Sequence, residues 1–199
     1  MVKYHSQEIE YPLHIDSGYY STLDIEGFFR MMKDPSYCYK FYWLEAMVPL
    51  ISEDKKDASY DEIINEMIAN AWYSVLEFHV HLSGIWGDGE VKDSLEKAVL
   101  KLHKLSDLPG NASKVEIKNK IGQFDKELHG EKMTLTQNVP YKALSGFANR
   151  YSERIDLNSS AGRMMAYYNR INENDIPLPY TFGEQKGLER KIIFHESWI

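Results

Sequence analysis

Between Ser59 and Leu82 apolar residues return every three or four positions: Tyr60, Ile63, Ile64, Met67, Ile68, Ala71, Trp72, Val75 and Leu76. Asp61, Glu62, Asn65, Glu66, Ala69 and Asn70 fall between them. This is the 3.6-residue period of an amphipathic helix, not the two-residue period of a strand. Ser59 and Glu62 form the S-x-x-E pattern that closes a helix start, and Gly84 is the usual kind of stop. A long helix with one continuous apolar face has to be covered by other elements. The chain is therefore predicted to be mainly α and packed around residues 59–82.

The same helix bears on "EFHVHLSG" (77–84), where His79 and His81 stand one residue apart beside Glu77. On a helix, residues i and i+2 point about 200° apart. His79 then falls on the apolar face and His81 off it, so they do not bind one metal side by side. A single cysteine, Cys38, excludes an internal disulfide and any zinc site built from cysteine pairs. No metal and no cofactor is expected.

The segment "SYCYKFYWLEAMVPLIS" (36–52) is apolar nearly all round, with Lys40 and Glu45 as its charges. A helix apolar on every face is a buried one, and Pro49 marks its end or a kink. Lys40 and Glu45 are five apart and do not face each other, so each is expected to reach the helix rim or a partner elsewhere. Tyr39, Tyr42, Trp43 and Trp72 sit at helical spacing and are read as core rather than as a base-stacking platform. Further helices are predicted over 22–33, 90–106 and 113–129, the last opened by a second capping box, Ser113 and Glu116. "NVPYKALSGF" (138–147) should start extended and turn helical after Pro140. Residues 160–172 fit a helix and 191–194 a short strand.

The expected architecture is an irregular helical bundle in three parts. An extended N-terminal arm with a short helix (1–35) precedes a helical core (36–130). A less regular region with a short strand and loops (131–199) follows. The predicted core holds Phe41, Leu44, Ile64, Met67, Ile68, Trp72, Val75, Leu95, Val99 and Ile121. "HESWI" reads as the opening turn of another element, so the natural polypeptide is expected to continue.

The 199 residues carry a formal charge of −7. An acidic chain is a poor autonomous binder of nucleic acid, because phosphate affinity comes mainly from Lys and Arg. The exception is residues 141–171, which hold Lys142, Arg150, Arg154, Arg163 and Arg170 against only Glu153 and Asp156. Arg150 and Arg154 are four apart; Arg163 and Arg170 are seven apart, two helical turns. Interleaved with Tyr151, Tyr167 and Tyr168, they are the candidate contacts to phosphate, sugar and base. No nucleophile frame, paired carboxylates or phosphate-binding glycine loop occurs. No apolar run reaches membrane-spanning length, and no secretory leader is seen at Met1 to Tyr11. A cytoplasmic chain is expected.

Three stretches, 36–51, 59–75 and 138–147, resemble in order and spacing the N-terminal region of bacterial proteins classed as HNH endonuclease domain-containing. The resemblance covers roughly residues 36–199. In that group a helical region with a "YKFYW"-type and an "IADAWY"-type segment precedes an HNH nuclease module. Such a module needs a water-activating histidine, metal-binding histidine or aspartate, and a central asparagine on a ββα element. None of His5, His14, His79, His81, His103, His129 and His195 stands in that frame. The resemblance thus implies a non-catalytic DNA-recognition or positioning region of an HNH-type endonuclease, with no catalytic residue of its own. The alternative from composition and apolar helices is a protein-interaction or dimerisation module with no role on nucleic acid.

Overall fold

The computed structural model describes residues 18, 23–33, 38–84, 87, 89–148, 155–156, 158–172 and 178–198. The chain is mainly helical, with a small sheet and a loop-rich C-terminal part. In order the elements are α1 (Ile25–Lys33), α2 (Tyr39–Ser52), β1 (Asp57–Ser59), α3 (Tyr60–Leu76), α4 (Ser94–Ser106), α5 (Lys114–Gln123), α6 (Asp125–Thr136), α7 (Val139–Lys142), α8 (Ser145–Ala148), α9 (Ala161–Ile171), β2 (Tyr180–Phe182) and β3 (Lys191–Phe194).

α3 is the axis of the fold. Ser59 Oγ accepts from the Glu62 N–H, and the Glu62 carboxylate takes the Ser59 N–H at 2.8 Å. Both donors left open at the helix start are thereby satisfied. Ile63, Ile64, Met67, Ile68, Ala71, Trp72 and Val75 are buried, as their spacing predicts. α2 packs on one side of this stripe and α4 on the other. The second capping box, at Ser113 and Glu116, is also formed. α4 starts later than predicted, at Ser94. There the Asp93 carboxylate caps the N–H groups of Leu95 and Glu96 at 2.8 and 3.1 Å.

Two ion clusters clamp outer helices to α3, and a third ion pair joins α4 to α6. The Glu66 carboxylate, on α3, meets Lys114 at 2.7 Å and also Lys118, both from α5. Burial alone raises this carboxyl's pKa. Hydrogen bonds and charge from the two lysines outweigh it and hold the group below the usual range. Lys132 of α6 reaches Asp61 of α3 at 2.8 Å and Asp125 at 2.5 Å. Lys101 of α4 meets Glu131 of α6 at 3.1 Å.

The sheet runs β1-β3-β2, both pairs antiparallel, with Ala58 opposite Ile192 and Phe182 opposite Ile192 on the other side. It joins a strand before α3 to one near residue 194. Buried residues from Met31 to Phe194 form one hydrophobic cluster. At its heart Trp43 stands edge-on to Tyr60, ring centres 5.8 Å apart, with Tyr180 at 6.2 Å. Tyr60 and Tyr141 share a hydroxyl bond of 3.2 Å, and the Tyr180 hydroxyl donates to the Pro140 carbonyl at 2.6 Å. Trp43 and Trp72 are core residues, as their spacing indicates.

Several expectations are corrected. α3 ends at Leu76 and not near Gly84. His79 takes a left-handed conformation, φ 52°, and Val80 N–H turns back to the Ser74 carbonyl at 3.1 Å. The apolar stripe is exhausted after Leu76, so nothing rewards another turn. Instead the chain bends so that Leu82 enters the core, its N–H bonded to buried Glu96 at 2.9 Å. The helix from 113 is broken at Phe124, and its continuation, α6, runs to Thr136. "NVPYKALSGF" is helical from Val139, because Pro140 sits in the first turn, where its missing N–H costs nothing. Of the two charges on α2, Glu45 reaches the rim, while Lys40 is 4 % exposed with its ammonium 5.4 Å from the centre of the Phe41 ring, in keeping with a partner away from the rim. Phe41 and Leu44 are only half-buried.

Candidate functional site

That last departure leads to the site. α2 is apolar on every face, yet only Tyr39, Trp43, Ala46, Met47 and Leu50 of its apolar residues turn fully into the core. Phe41, Leu44, Val48 and Ile51 follow at i, i+3, i+7 and i+10 and line a groove of about 320 Å³ instead. Phe28 and Met32 of α1 form the opposite wall, with Phe147 and Pro179 at its end. Val48 is 61 % exposed and Met32 43 %. The only charged residue in the described lining is Glu45, which is exposed.

Close backbone approach sets the groove's width. α1 crosses α8 at Gly27 and Gly146; a Cβ on Gly146 would lie 2.5 Å from both the Gly27 carbonyl oxygen and the Met31 nitrogen. Only glycine lets the two elements meet so closely. Arg30 Nε donates to the Gly146 carbonyl at 3.0 Å, while its guanidinium meets Glu26 at 3.2 Å. The wall carrying Phe28 and Met32 is thus fixed by a buried crossing and a charged strut.

A second concavity, of about 390 Å³, has a mixed lining. Lys92, Asp93, Ser94, Asn138 and Lys142 line it with Tyr39 and Ser83. It brings Lys142, a candidate from the sequence, beside Lys92, which the sequence reading did not single out. Asp93 is committed to the α4 start and to Ser83, whose hydroxyl donates to it at 3.0 Å.

The other sequence candidates are placed as follows. Arg163 and Arg170 are exposed on α9. Tyr167, by contrast, is 5 % exposed and Tyr168 fully buried, the two rings edge to face at 5.3 Å. α9 is amphipathic, and its tyrosines are the apolar face that packs on the sheet end, so neither offers a ring to a base. Arg170 lies over the Tyr167 ring at 6.0 Å. Arg150, Tyr151 and Arg154 lie outside the described residues.

The two histidines of "EFHVHLSG" have separate surroundings. His79 is exposed, and His81 Nδ1 donates to Glu96 at 2.7 Å. Among the described residues no Ser, Thr or Cys side chain is bonded to His81. The Cys38 thiol donates to the Leu82 carbonyl at 3.0 Å. No group of three or more His, Cys, Asp or Glu is placed to hold a metal among the described residues. Burial pushes the hydroxyls of Tyr60, Tyr168 and Tyr180 far above the ordinary phenol range. Tyr60 and Tyr180 act as neutral hydrogen-bonding groups in the core, while the buried Tyr168 hydroxyl meets no hydrogen-bond partner among the described residues. The arrangement with the most distinct physical character is thus the apolar groove between α1 and α2. No protein-family model, curated protein or solved structure matches this chain, so its functional reading rests on this geometry.

Proposed function

We propose that the chain is a helical protein-interaction module and that the groove between α1 and α2 receives a partner chain. The carrying observation is the α2 stripe in which Phe41, Leu44 and Ile51 stay half-buried and Val48 exposed along a groove, on a helix whose sequence is apolar all round. A contiguous exposed apolar surface is costly to keep in water and marks an interaction site. A neutral amphipathic helical peptide of leucine and glutamine, fluorescently labelled, is expected to bind. Val48→Glu should weaken it about tenfold, since fully burying a valine is worth about 1.5–3 kcal/mol. Val48 is mostly exposed, so the variant should keep its circular dichroism spectrum. Absence of binding by the unsubstituted chain would end the reading, as would unchanged affinity in the variant.

The DNA-positioning reading has one supporting observation, the exposed Arg163 and Arg170 two turns apart on α9. If they contact phosphates, anisotropy of a labelled duplex should fall steeply with salt. Replacing both by glutamine should then reduce the slope of log affinity against log salt by about two. A flat salt response, or an unchanged slope in the double variant, would exclude it.

A further inference from the structure

Resting on the docking reading, we infer that the groove takes a basic amphipathic helix of another protein rather than a second copy of this chain. The α2 stripe spans ten residues, about 15 Å at 1.5 Å per residue, which is nearly three turns of an incoming helix. Its walls are helices, so ridges at three- and four-residue spacing are offered for packing against like ridges. Charge decides the rest. Glu45 stands exposed at the middle of the stripe, and Glu53 and Asp54 are exposed just past the end of α2. The C-terminal carbonyls of α2 add negative potential at that end.

Among the described residues, Lys40 is buried, Lys55 is paired with Glu62 at 3.2 Å, and Arg30 is engaged with Glu26 and the Gly146 carbonyl. Lys33, at the end of α1, and Lys56, two residues past Asp54, are exposed, and neither is part of the described lining. In a two-fold dimer with groove against groove, lining residues meet lining residues. Among the described residues that set contains one glutamate and neither Lys nor Arg. A second copy therefore brings Glu45 no counter-charge, and two chains of charge −7 repel. A helix with leucine-type anchors and a lysine or arginine at its edge fills the groove and meets the acidic rim.

The test uses three labelled helical peptides of one apolar pattern, with lysine, glutamine or glutamate on the polar face. The lysine peptide is expected to bind tightest and the glutamate peptide weakest. Glu45→Lys should lower the lysine-to-glutamate affinity ratio about fivefold, the scale of converting one exposed ion pair to a repulsion. Glu127→Lys, on exposed α6 surface, should leave that ratio nearly unchanged. Val48→Glu should weaken all three peptides, although it adds negative charge, which separates docking from general attraction of a cationic peptide. If the glutamine peptide binds through Val48 but Glu45→Lys shifts the ratio no more than Glu127→Lys does, the basic partner is wrong and docking stands. If Val48→Glu affects no peptide, docking itself fails. A concentration-dependent dimer in sedimentation that Val48→Glu abolishes would overturn the inference in favour of a second copy.

Discussion

Trp72→Ala is expected to lower stability by about 3–5 kcal/mol, the range for removing a large aromatic from a packed core. The side chain is 1 % exposed and stands edge-on to His103, ring centres 5.8 Å apart. Its indole Nε1 donates to the Pro109 carbonyl at 3.1 Å, tying the α4–α5 connection to α3. The substitution therefore leaves a cavity and removes one of the two hydrogen bonds to the Pro109 carbonyl, which also accepts from the Ala112 N–H at 3.0 Å. Trp72→Phe should retain most of the packing and lose the hydrogen bond, at about 1 kcal/mol or somewhat more. Urea unfolding of the two variants measures the difference. A midpoint unchanged by Trp72→Ala would remove this residue from the core and undo the account of how α4 and α5 are held.

The second large effect concerns Lys132, whose environment is asymmetric. The lysine is 0 % exposed, while the side chains of its partners Asp61 and Asp125 are 38 % and 50 % exposed. Freed aspartates can rehydrate; a freed lysine here cannot. Neutralising both carboxylates, Asp61→Asn with Asp125→Asn, should cost about 3–5 kcal/mol, because an unpaired charge is left inside. Lys132→Met keeps the volume, removes the charge and should cost less than about 1.5 kcal/mol. Chemical denaturation of the two variants gives the comparison. The opposite order would mean that the carboxylates, not the lysine, are the groups the fold cannot leave unpaired.

How much of this was legible differs by element. The two capping boxes, at Ser59 and at Ser113, were readable because the cap is a local device in which four consecutive residues satisfy each other. The α3 and α4 stripes were readable because burial of one helix face imprints its period on the sequence. Lys132 was not, because its two partners lie seven and 71 positions away and no local pattern joins them. The end of α3 was misplaced for a related reason. No residue after Leu76 has a buried surface waiting for it on α3, and Leu82 enters the core beside Glu96 only if the chain bends.

The candidate site divides in the same way. Composition alone marked α2 as apolar on every face and marked 141–171 as the cationic stretch. Periodicity placed Phe41 and Leu44 in the core, where both are half-buried and Leu44 packs against its edge; Tyr167, offered as a contact residue, is 5 % exposed. Periodicity states that a face is apolar, but not which apolar face finds a covering element; that depends on the elements packed beside it. Here the Gly27–Gly146 crossing seats α1 so that Phe28 and Met32 stand across from Val48, while α9 spends its tyrosines on the sheet end. The sequence by itself determined a mainly helical chain, its helix starts and most of its core, because caps and stripes act within one element. Only the tertiary structure decided which apolar stripe stayed open and which charges were buried, because both depend on contacts between residues far apart in the chain.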